Sequence, residues 1–167
     1  QDENVLAIST LWKNKGAEYS QQKNSSLDIA KKLVGFIPVI YSSGFLASAG
    51  YRFKCQLNEN SKVHSFHHII PEMNHNEIIG WETQKSKQFN SKIIYLFDND
   101  YHPQIKKRYF VFSELAASKG VEILTLTSSE RNYRVRIMDL IYFCDWISFY
   151  LAVLRGFDPS EIDFIYE

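Results

Sequence analysis

Apolar residues recur along the chain at two intervals, and the interval changes where one element gives way to the next. Val5, Ile8, Leu11 and Trp12 fall at helical spacing, and the polar stretch GAEYSQQKNSS after them predicts a loop. Ser26 is placed to cap a short helix in which Leu27, Ala30, Leu33 and Val34 share a face, with Gly35 closing it. Ile37–Tyr41 is the first β-rich run. Pro38 carries no N–H, so this strand must hold it at its beginning or at a sheet edge. Ser42-Ser43-Gly44 predicts a tight turn into a helix whose Leu46, Ala49, Phe53 and Leu57 form one stripe.

Further along, Lys92–Phe97 (KIIYLF) is almost continuously apolar, as a strand covered on both faces should be. Asp98-Asn99-Asp100 ends it, either with metal-binding carboxylates or, in preference, as a solvated turn, for which Asp and Asn are suited by their own backbone hydrogen bonds. Ile105, Tyr109, Phe112 and Leu115 give a helix that stops at Gly120, and Val121–Thr127 is the third strand. Ile137, Leu140, Ile141, Cys144, Ile147, Leu151 and Leu154 then repeat as a long helix, closed by Gly156 and Pro159. Strands alternating with helices imply right-handed crossovers, hence an α/β fold: a three-layer α/β/α domain with a parallel sheet. Residues 1–35 read as a helical segment packing on or linking to a domain of residues 36–167. Ligands bind beyond the carboxyl ends of such strands. The Ser42-Ser43-Gly44 and Asp98-Asn99-Asp100 turns are expected there.

Charge narrows the functions. Nineteen Lys and Arg balance nineteen Asp and Glu, which leaves no basic footprint for nucleic acid and no polybasic membrane patch. No apolar run approaches the length of a membrane span, and no signal peptide is visible. Cys55 and Cys144 both lie in apolar helical patterns and read either as a disulfide or, in preference, as two buried free thiols of a cytoplasmic protein. The chain begins with Gln and ends at Tyr166-Glu167, so it reads as a piece of a longer protein.

The least core-like stretch is Tyr51–Gly80, which opens as a helix and turns irregular and polar. Glu59 and His75 stand sixteen residues apart, flanked by Asn58 and Asn60 and by Asn74 and Asn76. Asn is a poor helix former and costly to bury without hydrogen bonds. The two sandwiches read either as capped turns or as a polar site holding an acid and an imidazole. His64, His67, His68 and His75 crowd the same stretch, but without a Cys among them their spacing matches no closed zinc motif. The first three read as partly exposed structural residues. Glu72, Glu77 and Glu82 read as surface or supporting carboxylates. The Ser42-Ser43-Gly44 turn reads either as a phosphate cradle at a helix N-terminus or as an ordinary cap.

LNENSK followed by PEMNHNEIIGW resembles the C-terminal half of the bifunctional phosphoglucose/phosphomannose isomerases, which are sugar isomerase (SIS) domain proteins. The resemblance runs from about Ile37 to the end, through IPVIYSSG and DWISFYLAVLRGFDPS. It implies interconversion of glucose or mannose 6-phosphate with fructose 6-phosphate, without metal or other cofactor. Glu59 would be the general base and His75 the acid that opens the sugar ring. Ser160 stands where the family often carries a Thr near the sugar. Asn58, Asn60, Asn74, Asn76, Ser42 and Ser43 are the further candidates for substrate contact. The base is expected at the carboxyl side of the sheet. The family's lysine near the C-terminus would fall a residue or two beyond Glu167. The resemblance also implies a homodimer in which His75 reaches into the neighbouring subunit's site, with Tyr51, Phe66, Ile69, Ile70, Met73 and Trp81 as its apolar surface. The rival reading is a catalytically silent SIS domain that binds a phosphosugar as a sensor.

Overall fold

The computed structural model describes residues 2–83 and 89–161. Helix α1 (Asp2–Tyr19) runs three residues beyond Gly16, where a loop was predicted, because Tyr19 is buried among Tyr142, Phe143 and Trp146. Helix α2 (Ser25–Leu33) is capped by Asn24 rather than Ser26: the Asn24 Oδ1 accepts from Leu27 N–H at 2.8 Å and from the Ser26 hydroxyl at 2.6 Å. Asn24 precedes the first turn and has the extended backbone a cap needs, whereas Ser26 is already inside the helix.

Among the described residues, four strands form one parallel sheet: β1 (Ile37–Ser42), β2 (Phe66–Ile69), β3 (Ser91–Leu96) and β4 (Ile123–Leu126), in the order β2-β1-β3-β4. Pro38 is tolerated in the central strand for a local reason. The Ile37 N–H bonds to Asn90 on the β3 side, so the Pro38 nitrogen faces the β2 side, where pairing begins only at Val39. Strand β2 has no counterpart among the predicted elements. It is an edge strand of sequence FHHI and mostly exposed, so it shows neither a continuous apolar run nor an alternation.

Helices α3 (Ala47–Glu59) and α6 (Tyr133–Arg155) cover one face, with α1 and α2 packed on α6. The helices α4 (Glu77–Thr83) and α5 (Pro103–Ser118) cover the other, where Tyr41, Tyr95, Trp81 and Phe112 interlock. The predicted three-layer α/β/α architecture is the one observed. Helix α6 starts at its Asn132 cap and ends on the left-handed Gly156 (φ 79°). Contrary to the run-length reading, α6 is long and apolar enough to cross a membrane, with a mean hydropathy of 1.6. Here it lies between α1, α2 and α3 and buries Leu140, Cys144, Ile147 and Leu151.

The Asp98-Asn99-Asp100 turn is more than a solvated end. Asp98 is buried, and its carboxylate accepts from Arg136 Nε at 2.7 Å, while Arg136 also donates to Asp100 and to the Glu130 and Arg131 carbonyls. A buried carboxylate and guanidinium need this complete set of partners. Both cysteines are free thiols. Cys144 is buried as expected, with its thiol pushed up by burial, but Cys55 is only half-buried.

Candidate active site

Each helix that follows a parallel strand must return to the opposite edge of the sheet before the next strand begins. Helix α3 leaves the carboxyl end of β1 and descends about 20 Å, at 1.5 Å per residue, toward the start of β2. Glu59, its last residue, is therefore exposed at the amino edge of the sheet, not at the carboxyl edge where it was expected. The turn beyond it is held from both sides. The Ser65 N–H, just before β2, donates to Asn58 Oδ1 at 3.1 Å. Asn60 Nδ2 donates to Gln56 Oε1 at 2.8 Å and to Ser148 Oγ of α6 at 2.9 Å. The Ser61 hydroxyl donates to the Ser148 carbonyl at 2.7 Å, and Arg155 donates to the Ser61 carbonyl. Lys62, with φ of 51°, reverses the chain and donates through Nζ to the Asp158 carbonyl at 2.9 Å.

That last bond brings the Asp158-Pro159-Ser160 turn to the same edge. Ser160 is exposed there, and its N–H donates to Asp158 Oδ1 at 2.7 Å. A cavity of about 380 Å³ lined by Asn58, Lys62, Val63 and His64 opens beside Asn58, the residue before Glu59. Ser61, Lys62, Ser148 and Arg155 lie within LNENSK and DWISFYLAVLRGFDPS, but sequence reading gave them no role. Nothing in their local pattern points to the contact between α3 and α6.

His75 is elsewhere. Strand β2 ends at Ile69, the Ile70 N–H bonds to the Ser42 carbonyl, and a single 3₁₀ turn over Glu72–His75 follows. His75 is exposed at the carboxyl edge. Among its neighbours, Asn76 Oδ1 accepts the Glu77 N–H at 2.7 Å, at the start of α4. The Asn74 Oδ1 is enclosed and without a hydrogen-bond partner among the described residues. The four candidate asparagines thus fall into two separate groups, Asn58 and Asn60 at one edge, Asn74 and Asn76 at the other.

Ser42 and Ser43 do lie at the carboxyl edge, but both are buried and turned inward. The Ser42 Oγ lies 2.7 Å from His67 Nε2, and the Ser43 hydroxyl donates to the Ile70 carbonyl at 2.8 Å. The Ser43 N–H is taken by the Tyr101 hydroxyl, which in turn donates to the Ser43 carbonyl at 2.7 Å. Neither hydroxyl is presented to a ligand, and neither caps the helical turn that follows: both are spent on β2 and the residue after it. Burial holds the His67 imidazole neutral, down to about 4, with the neighbouring His68 adding to the shift. His68 is half-exposed and lies 2.7 Å from a Glu77 carboxylate oxygen. Of the six apolar residues expected to line an interface, Ile70, Met73 and Trp81 are instead buried in the chain's own core. Tyr51, Phe66 and Ile69 remain 61%, 47% and 41% exposed.

A family model described as the bacterial phospho-glucose isomerase C-terminal SIS domain matches residues 22–167. The chain belongs to this family. The match begins ahead of Ile37, so it takes in α2 as well as the sheet. A bifunctional phosphoglucose/phosphomannose isomerase of Aquifex aeolicus is 35% identical over 142 residues, 84% of this chain and 43% of that protein. Another enzyme of that name, from Caldicellulosiruptor bescii, is 30% identical over 162 residues, 96% of this chain and 48% of that protein. The chain thus spans about half the length of these SIS-family relatives. The fold is shared with a glucose-6-phosphate isomerase like protein from Thermus thermophilus, at TM-score 0.78 and 17% identity, over 96% of this chain and 55% of that one.

Proposed function

We propose that the protein this SIS domain belongs to is an aldose–ketose isomerase of hexose 6-phosphates, interconverting glucose or mannose 6-phosphate with fructose 6-phosphate. Support comes from the family match, from the names of its relatives and from the retained Glu59 and His75. The reaction needs no external oxidant, since C1 is reduced as C2 is oxidised. An acid first protonates the ring oxygen and opens the ring. A base then takes the proton from C2, leaving a planar cis-enediol, and returns it to C1. One planar intermediate serves both C2 epimers.

Glu59 is the base in this reading and His75 the ring-opening acid. The observation that carries the arrangement is the separation of the two residues: Glu59 shares the amino edge with Ser160, and His75 stands at the carboxyl edge. One copy of the domain cannot bring them to one sugar. A homodimer in which His75 enters the partner's site accounts for this, and Tyr51, Phe66 and Ile69 supply exposed apolar surface along the β2 side of the sheet for it. Asn58 and Asn60 hold the Glu59 turn, while Ser160 offers a hydroxyl to the sugar. In this reading residues 1–35 are a helical segment packing on a domain of residues 36–167, with α1 and α2 resting on α6, in a cytoplasmic enzyme.

The test is Glu59→Gln in the full-length protein, assayed with glucose 6-phosphate and mannose 6-phosphate. The variant keeps shape and loses basicity, so substrate should still bind. Turnover should fall by about 10²–10⁴-fold, and exchange of the C2 hydrogen with solvent should stop. Near-normal turnover would place the base elsewhere.

A further inference from the structure

The geometry points to Glu77 as a positioning residue that sets where His75 stands, an inference that rests on the role proposed for His75. Glu77 follows His75 by two residues and opens α4. Its carboxylate is half-buried and bridges two neighbouring strands. One oxygen accepts from the Tyr41 hydroxyl of β1 at 2.8 Å, and the other lies 2.7 Å from Nδ1 of His68 in β2.

The bridge follows from the register. Tyr41 pairs with His68 across β1 and β2, so both side chains leave the sheet on the α4 face, whereas His67 leaves on the α3 face. The Tyr41 hydroxyl also accepts from the Trp81 indole N–H at 2.7 Å, one turn further along α4. A single buried phenol therefore fastens α4 at two successive turns. Burial first, and the Glu77 carboxylate second, push Tyr41 upward, so it remains protonated and donates to Glu77.

His75 itself is exposed, on a short turn between this anchor and Met73, which is fully buried. With the backbone fixed on both sides, the imidazole projects from a defined place on the surface. An acid that must meet a ring oxygen in another subunit gains most of its effect from such placement, and a misplacement of about 1 Å can cost about 10²-fold. Glu77 touches no substrate in this arrangement. Its effect passes through His75.

The test compares cyclic hexose 6-phosphates with an open-chain substrate in the full-length enzyme. Glu77→Ala should lower turnover of cyclic substrates by about 10–100-fold while changing the open-chain rate by no more than about twofold. Glu77→Gln, which can still accept from Tyr41, should restore most of the loss. On a His75→Ala background, Glu77→Ala should cost nothing further. Equal losses on both substrates, or a further loss in the double variant, would overturn the inference and leave His75's role intact. If His75→Ala alone spares cyclic substrates, the role of His75 fails and this inference with it. Should Glu77→Ala not fold, Tyr41→Phe and His68→Ala each cut one arm of the bridge. Each should then lower the cyclic rate selectively, and an unselective change in both would overturn the inference.

Discussion

Glu59 and His75 stand at opposite edges of one parallel sheet, although only sixteen residues separate them in the chain. The separation follows from handedness and direction alone. Helix α3 must run back along β1, and β2 must run forward again, so a residue that ends the helix and a residue that follows the strand are a sheet's height apart. In the proposed reaction, which uses both, the site is drawn from a pair of chains.

Mixed dimers test this directly. Glu59→Gln and His75→Ala subunits should each be inactive as homodimers on cyclic substrates. In a dimer of the two, one site receives both defects and the other receives none. Random mixing of equal amounts should therefore restore about a quarter of wild-type activity, because half the dimers are mixed and each has one intact site. No recovery on mixing would mean that each site draws both residues from one chain.

His75→Ala should depress turnover of ring-closed substrates and largely spare one that arrives open. Ring opening is the only step assigned to the imidazole, so a substrate beyond that step bypasses it. Stopped-flow comparison of the two substrate forms checks this. Equal losses would assign His75 to holding the site together.

Much of the fold was legible because buried strands and amphipathic helices write their period into the sequence. KIIYLF and IPVIY needed only their continuous apolar character. FHHI did not announce itself, because an edge strand exposed on most of its length has no apolar face to display. The inward turn of Ser42 and Ser43 was hidden for the same reason: their partners, His67 and Ile70, belong to or follow that unseen strand. Glu59 and His75 were found as motif residues. Their placement at opposite edges depended on β2 as well, since without it the path from α3 to His75 had no direction.

His67 should make the fold sensitive to mild acid. Its ordinary value is about 6.5, and burial brings it down to about 4 in the native state. Between these values the unfolded chain binds the proton and the native one does not, so stability rises with pH through this window and is lost as pH falls through it. Below about 4 both states are protonated and the effect levels off. Urea unfolding between neutral pH and about pH 4 should show a larger loss for wild type than for His67→Gln. Identical losses would remove His67 from the acid response.

Gly50→Ala should destabilise the protein, against the usual trend. In the interior of a helix, Ala is favoured over Gly by about 1 kcal/mol. Gly50 lies within α3, but a Cβ there would stand 2.5 Å from His67 Nε2 and 2.8 Å from Ser42 Oγ. Neither neighbour can swing away easily. Ser42 is fully buried, and the two are hydrogen-bonded at 2.7 Å with the Tyr51 ring alongside His67. Overpacking of this kind costs about 1–3 kcal/mol, which exceeds the gain in helix propensity. Gly80, within α4, has nothing within 4 Å of the equivalent position, so Gly80→Ala serves as the control and should be neutral or stabilising. Removing the nearer obstruction should relieve the strain: on a His67→Ala background, Gly50→Ala should lose most of its cost. Denaturant melts of the four variants decide it, and a Gly50→Ala protein as stable as wild type would mean that β2 and α3 pack less closely than the His67–Gly50 contact requires.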